Sequence, residues 1–299
     1  MKARAAASLA LLLLSLCRVP PLQAQGNPYY DPAKPHHTPS GFRNNDIGRV
    51  DKPPASPVQF AGPRRAQPPG IAMAQLPPID VVVISHNHYD HLDRDSVVRL
   101  AERAPGKTLF LAPLGLKTWL EEQGVREVVE LDWGDAHLHR GVEFRLVPVQ
   151  HWSSRSLGDR NRTLWGGWAV FAPDLHWYFS GDSGYSRDFA DARERFASRQ
   201  PDGFDLAVLA IGAYEPRWFM QAQHMNPAEA MQAHNDLGAR RSLGIHWGTF
   251  NLTDEALDQP PRDLVRARQA QGVGEQDFFV LGIGETRRLE PRKPRQSQP

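Results

Sequence analysis

A short apolar run that leads directly into a cluster of histidines and aspartates constrains this chain more than any other feature. Ile79-Asp80-Val81-Val82-Val83-Ile84 is rich in β-branched residues, and its length and bounds suit a buried strand. Behind it come Ser85-His86-Asn87-His88-Tyr89-Asp90-His91-Leu92-Asp93, with three imidazoles and two carboxylates. Imidazole and carboxylate groups gathered at a strand end are what a borderline divalent ion such as zinc needs for tight binding. The plain alternative is three histidines, each satisfied on an ordinary turn.

The chain has 299 residues, enough to bury a sizeable core in one large or two modest domains. Its 35 basic and 34 acidic side chains leave a formal charge of +1, so no global field steers it to nucleic acid. The single cysteine, Cys17, excludes an intrachain disulfide and a thiolate metal cluster. Any metal must therefore be bound by nitrogen and oxygen.

Lys2 and Arg4 precede the apolar run from Ala5 to Cys17. That run is too short to span a bilayer but suits the core of a signal peptide over residues 1–24, which predicts export, to a periplasm or otherwise out of the cytoplasm. Leu14-Ser15-Leu16-Cys17 also resembles a lipoprotein signal, and an uncleaved membrane anchor is the third possibility. Residues 25–78 hold Pro-Tyr-Tyr, His36-His37-Thr38-Pro39, Lys52-Pro53-Pro54 and Gln67-Pro68-Pro69-Gly70. No helix or strand period survives such spacing, which predicts a proline-rich leader and linker in coil.

From 79 to 291 the pattern becomes that of one α/β domain, with 292–299 as a disordered tail. Strands are predicted at 79–84, 107–111, 125–130, 142–149, 165–171, 176–179, 205–211, 241–245 and 278–281. Helices are predicted near 94–104, 114–123, 227–237 and 257–272. Ala172-Pro173-Asp174 marks a hairpin turn. Alternation of this kind predicts helices packed outside sheets. Several strands run into further candidate ligands: 142–149 into His151, 176–179 into Gly181-Asp182, and 241–245 into His246. A lone His151 or His246 would read as a satisfied buried imidazole, but the recurrence at strand ends, the usual place for function in such folds, argues for ligands.

The motif His86-x-His88-x-Asp90-His91, with His151, Asp182 and His246 after it, resembles the metallo-β-lactamase superfamily. Within it the chain resembles the N-acylphosphatidylethanolamine-hydrolysing phospholipases D and their bacterial relatives. The markers are Leu76-Pro77-Pro78-Ile79-Asp80, Glu130-Leu131-Asp132-Trp133, Gly212-Ala213-Tyr214-Glu215-Pro216-Arg217-Trp218-Phe219-Met220 and Ile245-His246-Trp247-Gly248-Thr249-Phe250. The likeness runs from about Ser56 to Leu289. It implies an αββα sandwich and two zinc ions per chain. His86, His88 and His151 would hold one ion, Asp90, His91 and His246 the other, and Asp182 would bridge them. It implies catalytic roles for Asp90, as a ligand, and for His224, which would orient substrate or transfer a proton. Two adjacent ions can clamp the attacking and leaving oxygens of a phosphodiester. The implied reaction converts an N-acylated ethanolamine phospholipid to phosphatidic acid and an N-acylethanolamine, with peripheral membrane contact. The alternatives are a metal-dependent hydrolase of another phosphodiester or of a lactone, and a truncated non-catalytic metal-binding relative.

One departure from that family stands out. Gly41-Phe42-Arg43-Asn44-Asn45 is followed almost at once by Ser56-Pro57-Val58-Gln59-Phe60-Ala61-Gly62-Pro63, where relatives insert two or three strands. The N-terminal sheet is therefore expected to be incomplete, and its exposed edge would favour association, such as a homodimer.

Overall fold

Side-chain alternation along the strands sets the layering. The computed structural model describes residues 26–44, 63–103 and 107–290. The readings of 1–24 as a signal peptide, of Cys17 as a lipid site and of 292–299 as a tail lie outside the described residues. A small hairpin comes first, β1 (His37–Thr38) with β2 (Gly41–Phe42). Then follow β3 (Val81–Val83), α1 (Arg94–Arg103), β4 (Leu109–Pro113), α2 (Lys117–Glu122) and β5 (Glu127–Leu131). Strands β3, β4 and β5 form a parallel sheet in that order.

The second sheet has seven strands. It begins with the antiparallel meander β6 (Ala136–His139), β7 (Val142–Val147), β8 (Gly167–Phe171) and β9 (His176–Phe179). It continues in parallel pairing through β10 (Leu206–Ala210), β11 (Ser242–Ile245) and β12 (Phe278–Val280). Helices α3 (Asp188–Phe196), α4 (Arg217–Met220), α5 (Pro227–Leu237) and α6 (Gln259–Gln271) connect them.

Along β4, Leu109 and Leu111 cluster with Phe144, Leu146, Trp168 and Val170 of the large sheet. The intervening Phe110 and Ala112 cluster instead with Val97 of α1 and Leu120 of α2. On the far side of the large sheet, Ala169 and Phe171 pack with Phe189, Phe196, Met231 and Leu264 from α3, α5 and α6. Period-two alternation thus produces four layers, the αββα sandwich. Each fully buried side chain such as Phe110 contributes about 2–3 kcal/mol.

Two buried indoles tie this core to the ligand-bearing loops. Trp168 Nε1 donates to the Ile84 carbonyl at 3.0 Å, just before the histidine cluster. Trp165 Nε1 donates to the Val149 carbonyl at 3.0 Å, just before His151.

Helix α5 occupies the expected residues, and its ends show why. Asn226 and Glu229 form a reciprocal capping box, Pro227 opens the first turn, and Gly238 closes the helix in the left-handed region. The hairpin expected around Ala172-Pro173-Asp174 joins β8 to β9, with Ala172 N–H donating to Leu175 O at 3.0 Å. The N-terminal sheet is incomplete as expected, since among the described residues β3 pairs only with β4.

The coil expected for residues 25–78 misses the β1–β2 hairpin. Phe42 there is 3% exposed, within the core between the sheets. Strands of two residues leave no periodicity to read, and this hairpin is held by side chains some ninety residues further along. Among the described residues, no helix is long and apolar enough to cross a membrane.

Candidate metal centre

All seven predicted ligands, and His224, converge at one end of the sandwich. The loop after β3 supplies His86, His88, Asp90 and His91. The loop after β7 supplies His151, the turn after β9 supplies Asp182, and the end of β11 supplies His246. Two glycines make the approach possible. A Cβ on Gly181 would come within 2.6 Å of Ser85 Cβ, and one on Gly212 within 2.0 Å of the His246 carbonyl oxygen. His246 itself, just after β11, has φ +62, a left-handed conformation uncommon outside glycine though more accessible to histidine than to most residues.

Arg155 holds the histidine loop closed from outside. Its Nη1 donates to the carbonyls of Asn87 at 2.9 Å and Leu92 at 2.8 Å, while its guanidinium lies over the Tyr89 ring at 4.0 Å. Tyr89 answers by donating its hydroxyl to the Arg155 carbonyl at 3.1 Å.

The geometry divides into two triads around one oxygen. In the first, His88 Nδ1 lies 2.9 Å from His86 Nε2 and 3.3 Å from His151 Nε2. In the second, Asp90 Oδ2 lies 3.2 Å from His91 Nε2 and 3.3 Å from His246 Nε2. Asp182 Oδ2 sits between them, 3.9 Å from both His86 Nε2 and His151 Nε2, 2.9 Å from His91 Nε2 and 3.4 Å from His246 Nε2. The ring orientation has an outer support as well. His151 Nδ1 faces the Gln223 carbonyl at 3.0 Å, which directs its Nε2 lone pair inward.

The two triads differ in charge. Burial pushes the first well toward neutrality: His86 and His151 fall well below the usual histidine value and His88 drops to about 3. Burial would lower His91 too, but Asp182 and Asp90 outweigh it and hold this imidazole protonated well above its ordinary value. Burial would raise the Asp182 carboxyl, yet His246, His91 and His224 keep it well below the carboxylate range. Three neutral nitrogens meet at one point, and beside them a proton offsets two buried carboxylates. His88 Nε2 and Asp182 Oδ1 are also buried without a hydrogen bond. A nitrogen triad and a mixed nitrogen–oxygen triad with atoms left unsatisfied fit a pair of divalent ions.

His224 lies at the rim of the same cluster, with Nδ1 3.9 Å from Asp182 Oδ2 and its ring stacked 5.5 Å from that of His246. Its main chain is fixed by Arg217, which donates to the His224 carbonyl at 3.0 Å and to both oxygens of Glu229 at 2.7 Å. His151, Asp182 and His224 are close enough to form a ligand group of their own.

Sequence reasoning missed another cluster. His36 Nε2 and His37 Nε2 reach the two oxygens of the buried Asp132 at 2.7 and 3.0 Å, and Lys34 pairs with the same carboxylate. His37 Nδ1 is met by the Asp31 N–H at 3.1 Å, so both nitrogens of that ring are used. The adjacent His36-His37 pair was a signal, hidden by the prolines around it.

A family model described as the beta-lactamase superfamily domain matches residues 52–247. An N-acyl-phosphatidylethanolamine-hydrolyzing phospholipase D of Caenorhabditis elegans is 40% identical over 244 residues, 77% of this chain and 67% of that protein. A mitochondrial protein of the same description from Saccharomyces cerevisiae is 36% identical over 213 residues, 68% of this chain. The match spans only 43% of the yeast protein's own length. Among solved structures, a possible metal-dependent hydrolase of Veillonella parvula superposes with a TM-score of 0.55 at 17% identity, covering 76% of this chain and 89% of that one, a likeness of fold alone. Sequence and architecture agree, and the chain belongs to the metallo-β-lactamase superfamily, as a hydrolase of that fold homologous to the N-acylphosphatidylethanolamine-hydrolysing phospholipases D.

Proposed function

We propose that the protein is a binuclear zinc phosphodiesterase of phospholipase D type. Water would cleave the bond between phosphorus and the headgroup oxygen of an N-acylated ethanolamine phospholipid, releasing phosphatidic acid and an N-acylethanolamine. The observation that carries this reading is Asp182 Oδ2, placed within 3.9 Å of ligand atoms in both triads. A carboxylate oxygen so placed suits two ions sharing one bridge.

His86, His88 and His151 would hold one ion, Asp90, His91 and His246 the second, with Asp182 between. Two ions so held supply Lewis-acid polarisation of the phosphoryl group and acidify water. His224 acts beside them. Burial pushes its imidazole down to about 4, so it is neutral near pH 7, and its buried Nδ1 makes no hydrogen bond. That nitrogen can take a proton at the reacting centre or orient the headgroup oxygen. A cavity of about 420 Å³ adjoins Asp90 and His91; Val82, Ile84, Val97, Leu100 and Phe110 give it an apolar wall, and Arg65, Asp93 and Ser96 a polar one, a mixed lining open to an amphiphilic substrate.

The leader residues Lys2 and Arg4 with the leucine run support export. Trp218, 67% exposed on α4 ahead of His224, supports peripheral contact with a membrane. Among the described residues the outer edge of β3 is unpaired, which supports a homodimer that sedimentation would report.

The test is hydrolysis by the zinc-loaded protein of N-acylphosphatidylethanolamine, a simple phosphodiester and a lactone. Release of both lipid products is expected. Lactone hydrolysis with no cleavage of either diester would overturn the assignment.

A further inference from the structure

Beyond the two triads, the loop between His151 and β8 presents a cation that nothing in the mechanism uses. Arg160 is exposed, and its guanidinium carbon stands 4.2 Å from the centre of the Trp152 ring. That indole in turn meets the His88 ring edge-on at 4.3 Å. Arg160 is therefore one aromatic ring away from the first triad.

The loop is built to hold it there. On one side Asp159 accepts from the Ser154 hydroxyl at 2.7 Å, from Arg155 N–H at 3.0 Å and from Ser156 N–H at 2.8 Å. On the other side Asn161, at φ +55, donates its N–H to the Ser153 carbonyl at 2.8 Å and accepts from Phe42 N–H at 2.8 Å. Both neighbours of Arg160 are thus fixed, while Arg160 makes no ion pair with any described carboxylate. The contrast with Arg155, five residues earlier, is plain. Arg155 spends its donors on two carbonyls of the ligand loop, whereas Arg160 is exposed and lies against the Trp152 ring.

We propose that Arg160, laid on Trp152, is a phosphate-binding residue that receives an anionic phosphoryl oxygen beside the first triad. A guanidinium offers paired N–H donors that match two phosphate oxygens, and the aromatic shelf holds it oriented while leaving its edge free. The phosphate could come from the scissile diester or from a neighbouring phospholipid at the membrane surface. The chemistry recognised is the same. This inference rests on the phosphodiesterase reading only for the first source.

The test compares the zinc-loaded full chain with Arg160→Gln and Arg160→Lys. Calorimetric titration with inorganic phosphate reads binding without any turnover. Hydrolysis of bis(4-nitrophenyl) phosphate reads KM and kcat, and co-sedimentation with phosphatidylglycerol vesicles reads surface binding. In Arg160→Gln the affinity for phosphate is expected to fall roughly tenfold, the size of a lost charge-assisted hydrogen bond. KM for the soluble diester should rise by a similar factor, with kcat and zinc content within about twofold. Arg160→Lys should recover part of the binding.

If vesicle binding falls and KM does not, the phosphate is a neighbouring lipid's. Should the wild type cleave no diester at all, the phosphodiesterase reading fails, and the phosphate titration still decides this one. Unchanged phosphate affinity, KM and vesicle binding in Arg160→Gln would overturn it.

Discussion

Among the described residues, one buried histidine–aspartate cluster is complete, around Asp132, and another is left unfinished, around Asp182. At Asp132 both oxygens meet an imidazole nitrogen, Lys34 balances the charge, and His37 spends its other nitrogen on the backbone of Asp31. At Asp182 one oxygen is surrounded by imidazoles from both triads, while the other oxygen is buried with no hydrogen bond. The same residue types do different work in the two places. A carboxylate whose partners are complete is a clasp that pins the N-terminal hairpin to the domain. A set of converging lone pairs that the protein itself cannot satisfy is a place for ions.

The sharpest break of that comparison is Asp182→Asn. Losing the shared charge should abolish paired loading, cutting zinc content to about one equivalent or less and turnover by more than roughly a hundredfold, beyond the loss typical of groups outside the ligand set. Asp132→Asn should leave zinc content unchanged. Metal analysis of the two purified variants checks both, and zinc loss in Asp132→Asn would erase the distinction.

Next in size, Arg155→Met releases the carbonyls of Asn87 and Leu92 and should weaken zinc binding roughly 10–100-fold. Competition with a chelating dye reads the affinity directly. His224→Ala should reduce turnover by a similar factor and keep the zinc content. If zinc is lost in His224→Ala, that imidazole is a ligand and the group it forms with His151 and Asp182 is a metal site.

Smaller again is the stability cost at the clasp. Asp132→Asn leaves Lys34 unpaired and weakens two buried hydrogen bonds, so a loss of about 2 kcal/mol in urea unfolding is expected. Its pH dependence has a definite sign. Burial would raise the Asp132 carboxyl, but His36 and Lys34 outweigh it and hold it well below the carboxylate range. The unfolded chain takes up that proton near pH 4, so it binds more protons than the folded chain below that pH. The clasp's contribution is complete above about pH 4 and fades as pH falls through the folded value. Wild-type and Asp132→Asn urea midpoints should therefore converge on acidification from pH 5 to 3. Parallel curves would show that the pairing adds nothing.

Much of this was legible in the residues. The strand over 79–84 and its histidine loop, the hairpin at Ala172-Pro173-Asp174 and the helix over 227–237 all follow from local chemistry, because each carries its own period or cap. Strand β6 is hard to read from the sequence, since its alternation is only four residues long and its apolar positions, Ala136 and Leu138, face solvent rather than a core. Helix α3 is masked in the sequence although Phe189, Ala192 and Phe196 lie on one face, because five charged residues dilute that pattern. The clasp was hidden for another reason. His36 and His37 gain meaning only from Asp132, and no local rule connects residues so far apart. For the metal centre the ligand types were readable, whereas the sharing of Asp182 Oδ2 between triads required the fold.

If the unfinished cluster around Asp182 is a binuclear site, the zinc content of the wild-type chain after loading and removal of excess metal reports it directly. Close to two equivalents per chain, bound through nitrogen and oxygen alone, is the predicted result. Less than half an equivalent would contradict it.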